Sequence, residues 1–271
     1  MTLPILSEKT VHDFQRDGAT IIRGEFREWV DILCRGIEKN IAEPGPFVRD
    51  YHDKDEDNKK CGRFFGDYCN WDRIDEYKQF LFDSPAADIA AQLMDSNEVR
   101  LFHEHVLVKE PATDIPTPWH HDQPYYCVNG KQNCSIWVAL DSVDKATSVE
   151  FIAGSHKWEK WFRPERFDRS PLFKDDMMES LPDIEANRDQ YNIISWATEP
   201  GDAVAFHYMT LHGAPSNISS QTRRRAFSSR WIGADTTFAV RQGKTSPPFP
   251  DVKLNHGDPL TGPEFPVVRP R

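Results

Sequence analysis

Short stretches of alternating side-chain character dominate the middle of this 271-residue sequence and constrain its fold class most strongly. Residues 99–108 alternate with period two, which predicts a β-strand. Turn-forming residues separate the further strand-like runs at 134–140, 149–152, 191–196, 203–207 and 224–232. Many short strands following a helical start are typical of a β-sandwich or barrel. We therefore predict a mainly β fold with flanking helices and a core of the jelly-roll type.

We predict a single domain that spans residues 1–271 and has three parts. Helices expected at 6–17, 29–41, 74–81 and 85–94 make residues 1–97 an N-terminal helical buttress. The strands form a jelly-roll core over 98–234, interrupted by a charged insertion at 157–190. The proline-containing residues 235–271 are expected to wrap around this core as a C-terminal tail.

Charge and composition exclude several classes of function. The formal net charge of −10 argues against a nucleic-acid partner, whose phosphates require a basic surface. No apolar run approaches the roughly 18 residues of a membrane span. Five cysteines without a Cys-x-x-Cys pair do not form a disulfide framework, and the N-terminus lacks a signal peptide. We expect a cytoplasmic protein whose oligomeric state the sequence leaves open.

The stretch around His120-His121-Asp122 contains a candidate metal site. In an extended chain, residues i and i+2 lie on the same face, so His120 and Asp122 would converge while His121 points away. One imidazole and one carboxylate, joined by a histidine from a distant strand, form the set that leaves three positions of iron(II) open. A His-x-Asp pair by itself is a weak pattern, because it also occurs in surface loops.

The third ligand is expected from the run that follows Pro200-Gly201-Asp202, where both His207 and His212 are available. These two histidines are five residues apart, so a regular strand would place them on opposite faces. Small residues follow His212 and would allow the backbone to approach the ion closely. We therefore favour His212, and interpret His207 as a hydrogen-bonded pocket or core residue.

Three arginines follow, and period two divides them between the faces of a strand. Arg224 shares one face with Ala226, Ser228 and Arg230, whereas Arg223 and Arg225 lie on the other. A buried arginine requires a carboxylate partner, which the remote end of a 2-oxo diacid could supply through a bidentate pair. We interpret Arg223 and Arg225 as solvated surface residues.

At this point the sequence resembles the phytanoyl-CoA dioxygenase family of iron(II)/2-oxoglutarate oxygenases. The matching motifs occur in family order over about residues 10–232. They are Phe14-Gln15-Arg16-Asp17-Gly18, Pro118-Trp119-His120-x-Asp122-Gln123-Pro124-Tyr125, Ser135-x-Trp137-Val138-Ala139-Leu140-Asp141, Gly154-Ser155-His156, Pro200-Gly201-Asp202, Leu211-His212-Gly213-Ala214 with Asn217, and Arg224-x-Ala226-Phe227-Ser228.

The resemblance implies a double-stranded β-helix (jelly-roll, cupin-like) core and three iron ligands, His120, Asp122 and His212. It also implies an arginine for the distal carboxylate of 2-oxoglutarate. Counting from His212 allows Arg223, but matching through the Arg-x-Ala-Phe-Ser run selects Arg224. By position, His105 and Trp137 resemble residues that line the 2-oxoglutarate pocket.

The family chemistry implies iron(II), 2-oxoglutarate and dioxygen as cofactor and co-substrates, with release of succinate and CO₂ and hydroxylation of an unactivated C–H bond. Related halogenases lack the metal carboxylate, so the presence of Asp122 favours an oxygenase. The substrate is expected to be a small molecule, and acyl-CoA remains open beside a small polar or secondary metabolite. Phase and position suggest a set of substrate-site residues: Gln123, Tyr125, His103, Arg63, Tyr68 and Trp231.

Two other classes of function remain open from the sequence. A hydrolase or isomerase could use a metal on a cupin-like barrel and would need no arginine for 2-oxoglutarate. A non-catalytic binding protein could share the fold, although an intact triad argues against it.

Overall fold

The computed structural model describes residues 5–52, 62–165, 171–172, 178–217 and 219–269. Its four α-helices are α1 (Glu8–Asp17), α2 (Val30–Ala42), α3 (Asp75–Asp83) and α4 (Ala86–Met94). Its strands are β1 (Ala19–Ile22), β2 (Arg49–His52), β3 (Arg63–Tyr68), β4 (Val99–Lys109), β5 (Thr117–His120), β6 (Val128–Asn129), β7 (Asn133–Ala139), β8 (Glu150–Ile152), β9 (Ile193–Ile194), β10 (Ala203–Phe206), β11 (His212–Ala214), β12 (Arg224–Ile232), β13 (Thr237–Phe238) and β14 (Val267–Arg269).

Two antiparallel sheets form the core. The larger has eight strands in the order β1-β10-β7-β12-β4-β3-β2, with β14 added beside β4. The smaller has four strands in the order β5-β11-β8-β9, and a separate pair joins β13 to β6. Neighbours in these sheets are distant in sequence, as in a jelly roll, and the predicted mainly β jelly-roll class is confirmed.

The helices cover the outer face of the larger sheet. Helix α1 begins where the Ser7 side chain accepts a hydrogen bond from the Thr10 backbone, and it ends at Gly18, whose φ of 77° suits glycine. Tyr77 and Phe80 of α3 lie against Phe227 of β12, with ring centroids 4.8 and 5.2 Å apart. This apolar layer holds the larger sheet rigid from behind.

The inner face of the larger sheet packs on the smaller one. Trp137 and Phe206 share a buried cluster with Val149 and Phe151, which lie at and just before β8. Alternate residues of β4, β7 and β12 therefore face an interior between the sheets. A functional site between the sheets must be built from these inward residues.

The three predicted parts of the domain are less separate than expected. Strands β1, β2 and β3 precede residue 98 and yet extend the larger sheet, so residues 1–97 are more than a helical buttress. The tail contributes β14 to the same sheet and β13 to the small pair. The division at 97/98 and 234/235 stays a prediction, and much of the 157–190 insertion lies outside the described residues.

The described residues contain neither a helix suited to span a membrane nor a paired cysteine. No helix among them combines the length and apolar character that crossing a membrane requires. The cysteines Cys34, Cys69, Cys127 and Cys134 are free thiols, in agreement with the absence of a disulfide framework, whereas Cys61 lies outside the described residues.

Candidate metal centre

The predicted metal residues come from the smaller sheet and the turn that follows its edge. His120 ends β5 and His212 begins β11, and the two are cross-strand partners. Asp122 follows in a turn whose backbone, at Asp122 and Gln123, donates hydrogen bonds to the Tyr208 carbonyl. Strand pairing therefore brings together two histidines that are 92 positions apart in the chain.

The three side chains converge on one point. Oδ1 of Asp122 lies 3.7 Å from Nε2 of His120 and 4.0 Å from Nε2 of His212. The imidazole centroids are 4.2 Å apart. These separations exceed hydrogen-bond lengths, so the ligand atoms face a shared space. Among the described residues, this is the group that could hold a metal ion.

Backbone carbonyls set the orientation of both imidazoles. Nδ1 of His120 lies 2.8 Å from the Pro118 carbonyl oxygen, and Nδ1 of His212 lies 2.9 Å from that of Thr210. A carbonyl only accepts, so each Nδ1 carries the proton and each Nε2 presents a lone pair towards Asp122. Burial lowers the pKa of His212 to about 3, which keeps this ring neutral at physiological pH.

The side chains of His120 and Asp122 converge as expected, but the backbone conformation that brings them together differs from the predicted one. Strand β5 ends at His120, and Asp122 adopts a helical backbone conformation with φ −72° and ψ −40°. The two side chains converge because a turn follows the strand, so the same-face argument for an extended chain does not apply at Asp122.

The alternative histidines lie elsewhere. Nε2 of His121 accepts a hydrogen bond of 3.0 Å from the Phe162 backbone, on the side of the insertion. His207 accepts from the Met209 backbone through Nδ1 and contacts the Lys131 carbonyl through Nε2. Neither ring joins the His120, Asp122 and His212 group, in agreement with their predicted positions.

A buried polar shell surrounds Asp122 and was not predicted as part of the site. Oδ2 of Asp122 accepts a hydrogen bond of 3.3 Å from Ser135 and lies 3.8 Å from Nε of Arg230. Arg230 also donates to the hydroxyl of Tyr126, at 2.7 Å. Burial alone would raise the pKa of Asp122, but the charge of Arg230 and a hydrogen bond with Tyr126 hold it below its usual value. In the sequence, period two places Arg230 on the same inward face as Arg224, and this pattern could have identified Arg230 as part of the site.

The three consecutive arginines separate as the strand phase predicts. Arg223 forms ion pairs with Glu110 and Glu38, and Arg225 forms a bidentate pair with Asp141. Arg224 points the other way, is 7% exposed, and donates to the backbone carbonyls of Thr147 and Pro215. Among them, Arg224 is the guanidinium that lies in the interior between the sheets, whereas Arg223 and Arg225 are ion-paired rather than simply solvated.

His105 and Trp137 lie on the same interior face as Arg224. Both are cross-strand partners of Ser228, one on each side of β12. Burial lowers the pKa of His105 to about 3, and the charges of Arg230, Asp122 and His120 also act on this ring. Their position between Arg224 and the metal residues is compatible with the predicted co-substrate pocket.

Three of the predicted substrate residues lie near the metal residues. The Tyr125 ring packs edge-on against His120, with centroids 6.0 Å apart, and its hydroxyl bonds the Glu165 backbone. Tyr68 packs against both His103 and His105. Nε2 of His103 is buried without a hydrogen-bond partner in the described part of the chain.

The other three predicted substrate residues have different roles. Trp231 is fully buried in the cluster that packs under the helices, because its phase on β12 is that of Phe227 and it faces outward from the barrel. Arg63 begins β3 on the face opposite Tyr68 and forms a bidentate pair with Asp50. Gln123 donates to the Gly130 carbonyl and fixes the turn before β7. Trp231, Arg63 and Gln123 thus make structural contacts, and a role for them at a substrate site stays a prediction.

The donor set fits a divalent iron ion. Two neutral imidazoles and one ionised carboxylate supply the two-histidine, one-carboxylate set, and the ligand atoms approach without bonding one another. Zinc sites of structural type need a fourth protein ligand, and no further His, Cys, Asp or Glu joins the group among the described residues. The arrangement can hold one ion with several positions left for other ligands.

Solved structures share this fold over nearly the whole chain. The nogalamycin carbocyclase SnoK, described as non-heme and alpha ketoglutarate dependent, is 23% identical, with 97% of this chain and 96% of that chain covered and a TM-score of 0.72. The epimerase SnoN, in complex with Fe³⁺, alpha ketoglutarate and nogalamycin RO, is 21% identical over 97% and 98% of the two chains, with a TM-score of 0.73. EctD from S. alaskensis, with 2-oxoglutarate and 5-hydroxyectoine, is 18% identical over 94% and 86%, with a TM-score of 0.67.

At these identities the solved structures establish a common fold. A search of curated protein sequences gives no significant match. The family model described as phytanoyl-CoA dioxygenase matches residues 14–226, which include both predicted metal motifs and Arg224. The chain therefore belongs to the phytanoyl-CoA dioxygenase family.

Proposed function

We propose that this protein is an iron(II)- and 2-oxoglutarate-dependent dioxygenase that hydroxylates an unactivated C–H bond of a small-molecule metabolite, with release of succinate and CO₂. His120, Asp122 and His212 would hold the iron, and Arg224 would bind the distal carboxylate of 2-oxoglutarate. His105 and Trp137 would line the space between them.

One observation carries this proposal: the buried Arg224 is hydrogen-bonded to the segment that follows the metal residue His212. Pro215, whose carbonyl accepts from Arg224 at 3.1 Å, is three residues beyond His212. Three extended residues span roughly 10 Å, which is comparable with a five-carbon diacid and the bond that would join it to an ion. A metal-dependent hydrolase or isomerase would have no use for a buried guanidinium at this distance.

Residues of this chain would bind the ion, position its carboxylate ligand and exclude water from the site. The two imidazoles and Asp122 would hold the ion, and Ser135 with Arg230 keeps the carboxylate in place. When bound, iron(II) with 2-oxoglutarate supplies the oxidising chemistry that activates dioxygen. Trp137 and the Phe206 and Phe151 rings, which flank His212, exclude water from the interior.

The substrate would enter on the other side of the metal residues. His103, Tyr68 and Tyr125 surround that region with rings and a few polar atoms, the usual lining of a small-molecule site. The unpartnered Nε2 of His103 would accept a hydrogen bond from a substrate hydroxyl or amine, because its Nδ1 lies 3.1 Å from the Glu104 carbonyl. This supports a polar metabolite more than a long acyl chain.

Uncoupled turnover of 2-oxoglutarate tests the proposal. The protein is incubated with iron(II), 2-oxoglutarate and dioxygen, and succinate is measured with and without members of a metabolite panel. We expect iron-dependent succinate formation that the correct substrate stimulates, together with a product that has gained one oxygen atom. An absence of iron-dependent succinate across a broad panel would instead favour a binding protein on this fold.

Product analysis separates hydroxylation from other outcomes. The fold neighbours include proteins described as a carbocyclase and an epimerase, so mass and stereochemistry of the product are both needed. Succinate formation with a product of unchanged composition would keep the oxygenase-type chemistry and overturn hydroxylation.

A further inference from the structure

Lys109 is a buried cation at the end of the interior that holds Arg224. It is 2% exposed, ends β4, and is the cross-strand partner of Arg224 on β12. Its Nζ donates to the Pro215 carbonyl at 3.1 Å and lies 4.9 Å from the centre of the Phe64 ring. Lys109 and Arg224 therefore share one acceptor, the carbonyl oxygen of Pro215.

Neither cation has an acidic partner within ion-pair distance in the described part of the chain. The nearby carboxylates are already used on the outer face of the sheet, where Glu110 binds Arg223 and Asp141 binds Arg225. Arg224 donates to the two carbonyls of Thr147 and Pro215, so part of its set of five N–H groups has no acceptor among the described residues. The buried hydroxyl of Ser148, next to Thr147, has no partner either.

Two buried basic side chains without a carboxylate partner cannot both carry their charge at low cost unless a further group compensates them. Burial, together with the charge of the neighbouring Arg224, lowers the pKa of Lys109 to about 6. Burial also lowers the pKa of Arg224, to about 10. A carboxylate placed between the two side chains would raise the pKa of both Lys109 and Arg224. It would also accept hydrogen bonds from the free N–H groups of Arg224.

We propose that Lys109 is a second binding residue for the distal carboxylate of the 2-oxo diacid, acting beside Arg224. This inference rests on the proposed function, because it needs that co-substrate in the interior. Its consequence is that the pocket demands a dicarboxylate: a 2-oxo acid with an apolar tail would leave both cations unpaired.

Binding of the diacid should then be accompanied by proton uptake. At pH 7.5 Lys109 is largely neutral without a ligand, and an adjacent carboxylate restores its charged form. The charged group that faces Lys109 from β12 is Arg224, and Phe64 faces it from β3. Glu110, the next residue in the chain, is paired with Arg223 on the opposite face. The proton on Lys109 should therefore come from the buffer.

Calorimetry of the iron(II)-loaded protein under anaerobic conditions tests this inference without turnover. 2-Oxoglutarate is titrated into wild type and Lys109→Met at pH 7.5, in two buffers of different ionisation enthalpy. We expect wild type to take up close to one proton for each molecule bound. We expect Lys109→Met to bind at least about tenfold more weakly and to lose that uptake. Lys131→Met, which removes an exposed lysine, should match wild type in both measurements.

The outcomes separate the two proposals. If Lys109→Met binds 2-oxoglutarate as tightly as wild type with the same proton count, the role of Lys109 is overturned and the proposed function stands. If wild type does not bind 2-oxoglutarate at all, both are overturned. Should Lys109→Met fail to fold, the wild-type proton count decides by itself, since uptake near zero from pH 6.5 to 8 contradicts the inference.

Discussion

Nε of Arg230 lies 3.8 Å from Oδ2 of Asp122, the carboxylate of the metal group, and both side chains are almost fully buried. The ion pair is extended by Tyr126, whose hydroxyl accepts from the same guanidinium nitrogen. In a buried site such a pair fixes the carboxylate, and removing one partner leaves an uncompensated charge. The position of Asp122 therefore depends on a residue 108 positions later in the chain.

Replacing Arg230 by Met should destabilise the metal-free protein by about 3 kcal/mol or more, because Asp122 loses its buried counter-charge. A bound divalent ion supplies that charge, so iron(II) or cobalt(II) should restore more stability to Arg230→Met than it adds to wild type. Urea unfolding with and without metal measures both quantities. Arg223→Gln, just before the same strand and paired with Glu110, should leave the stabilisation by metal unchanged. A loss of stability that metal does not reduce would contradict this role for Arg230.

Removal of any metal residue should abolish iron binding. His120→Ala, Asp122→Ala and His212→Ala each leave two of the three ligand atoms, which are too few to hold the ion in the proposed geometry. His121→Ala should still bind iron, since this ring contacts the Phe162 backbone instead. Equilibrium titration with iron(II) under anaerobic conditions measures the affinity. Full occupancy of Asp122→Ala together with normal hydroxylation would disprove the triad.

The neighbouring arginines provide a matched pair of variants. Arg224→Ala should abolish 2-oxoglutarate binding and turnover, and Arg224→Lys should restore little, because an ammonium cannot form the bidentate pair. Arg223→Ala should keep normal turnover, since its partners are Glu110 and Glu38 on the outer face. Succinate formation and direct binding of 2-oxoglutarate are measured for both. Intact activity in Arg224→Ala would favour the metal-dependent hydrolase or isomerase.

Glu104 should make the stability of the fold dependent on pH. This carboxyl is buried behind the larger sheet, with Oε1 bonded to the Asn70 backbone and Oε2 without a partner in the described residues. Burial raises its pKa from 4.5 to about 8. A raised folded-state pKa stabilises the fold fully below pH 4.5, and this contribution is lost as the pH rises to about 8.

Glu104→Gln should therefore be more stable than wild type at pH 8, by at most about 5 kcal/mol, and the difference should shrink towards pH 5. Urea unfolding between pH 5 and 8.5 measures this trend. Glu98, which is half-buried and paired with Arg100 at the surface, provides the control, because Glu98→Gln should keep the pH trend of wild type. Parallel curves for wild type and Glu104→Gln would show that Glu104 is charged throughout this range.

Local sequence patterns were sufficient for most of the elements. Ser7 and Gly18 bound the first helix as expected, since caps act through neighbouring backbone groups. Period two in residues 99–108 and 224–232 identified β4 and β12 and their inward residues. The same phase separated Arg224 from Arg223 and Arg225, because the pleat decides which face a side chain takes whatever the sheet order is.

The sheet order and the remaining contacts of the site depend on pairing between segments that are distant in the chain. Strands β1 to β3 joined the larger sheet through partners that no local pattern specifies, and a turn rather than a strand brought Asp122 beside His120. The register shift at Phe102 of β4 and the bidentate pairs of Arg63 and Arg225 likewise depend on neighbours far along the chain. For the metal centre, the sequence by itself determined the residue types His120, Asp122 and His212. Only the tertiary structure decided that Arg230 compensates Asp122 and that Lys109 joins Arg224, because both depend on cross-strand register.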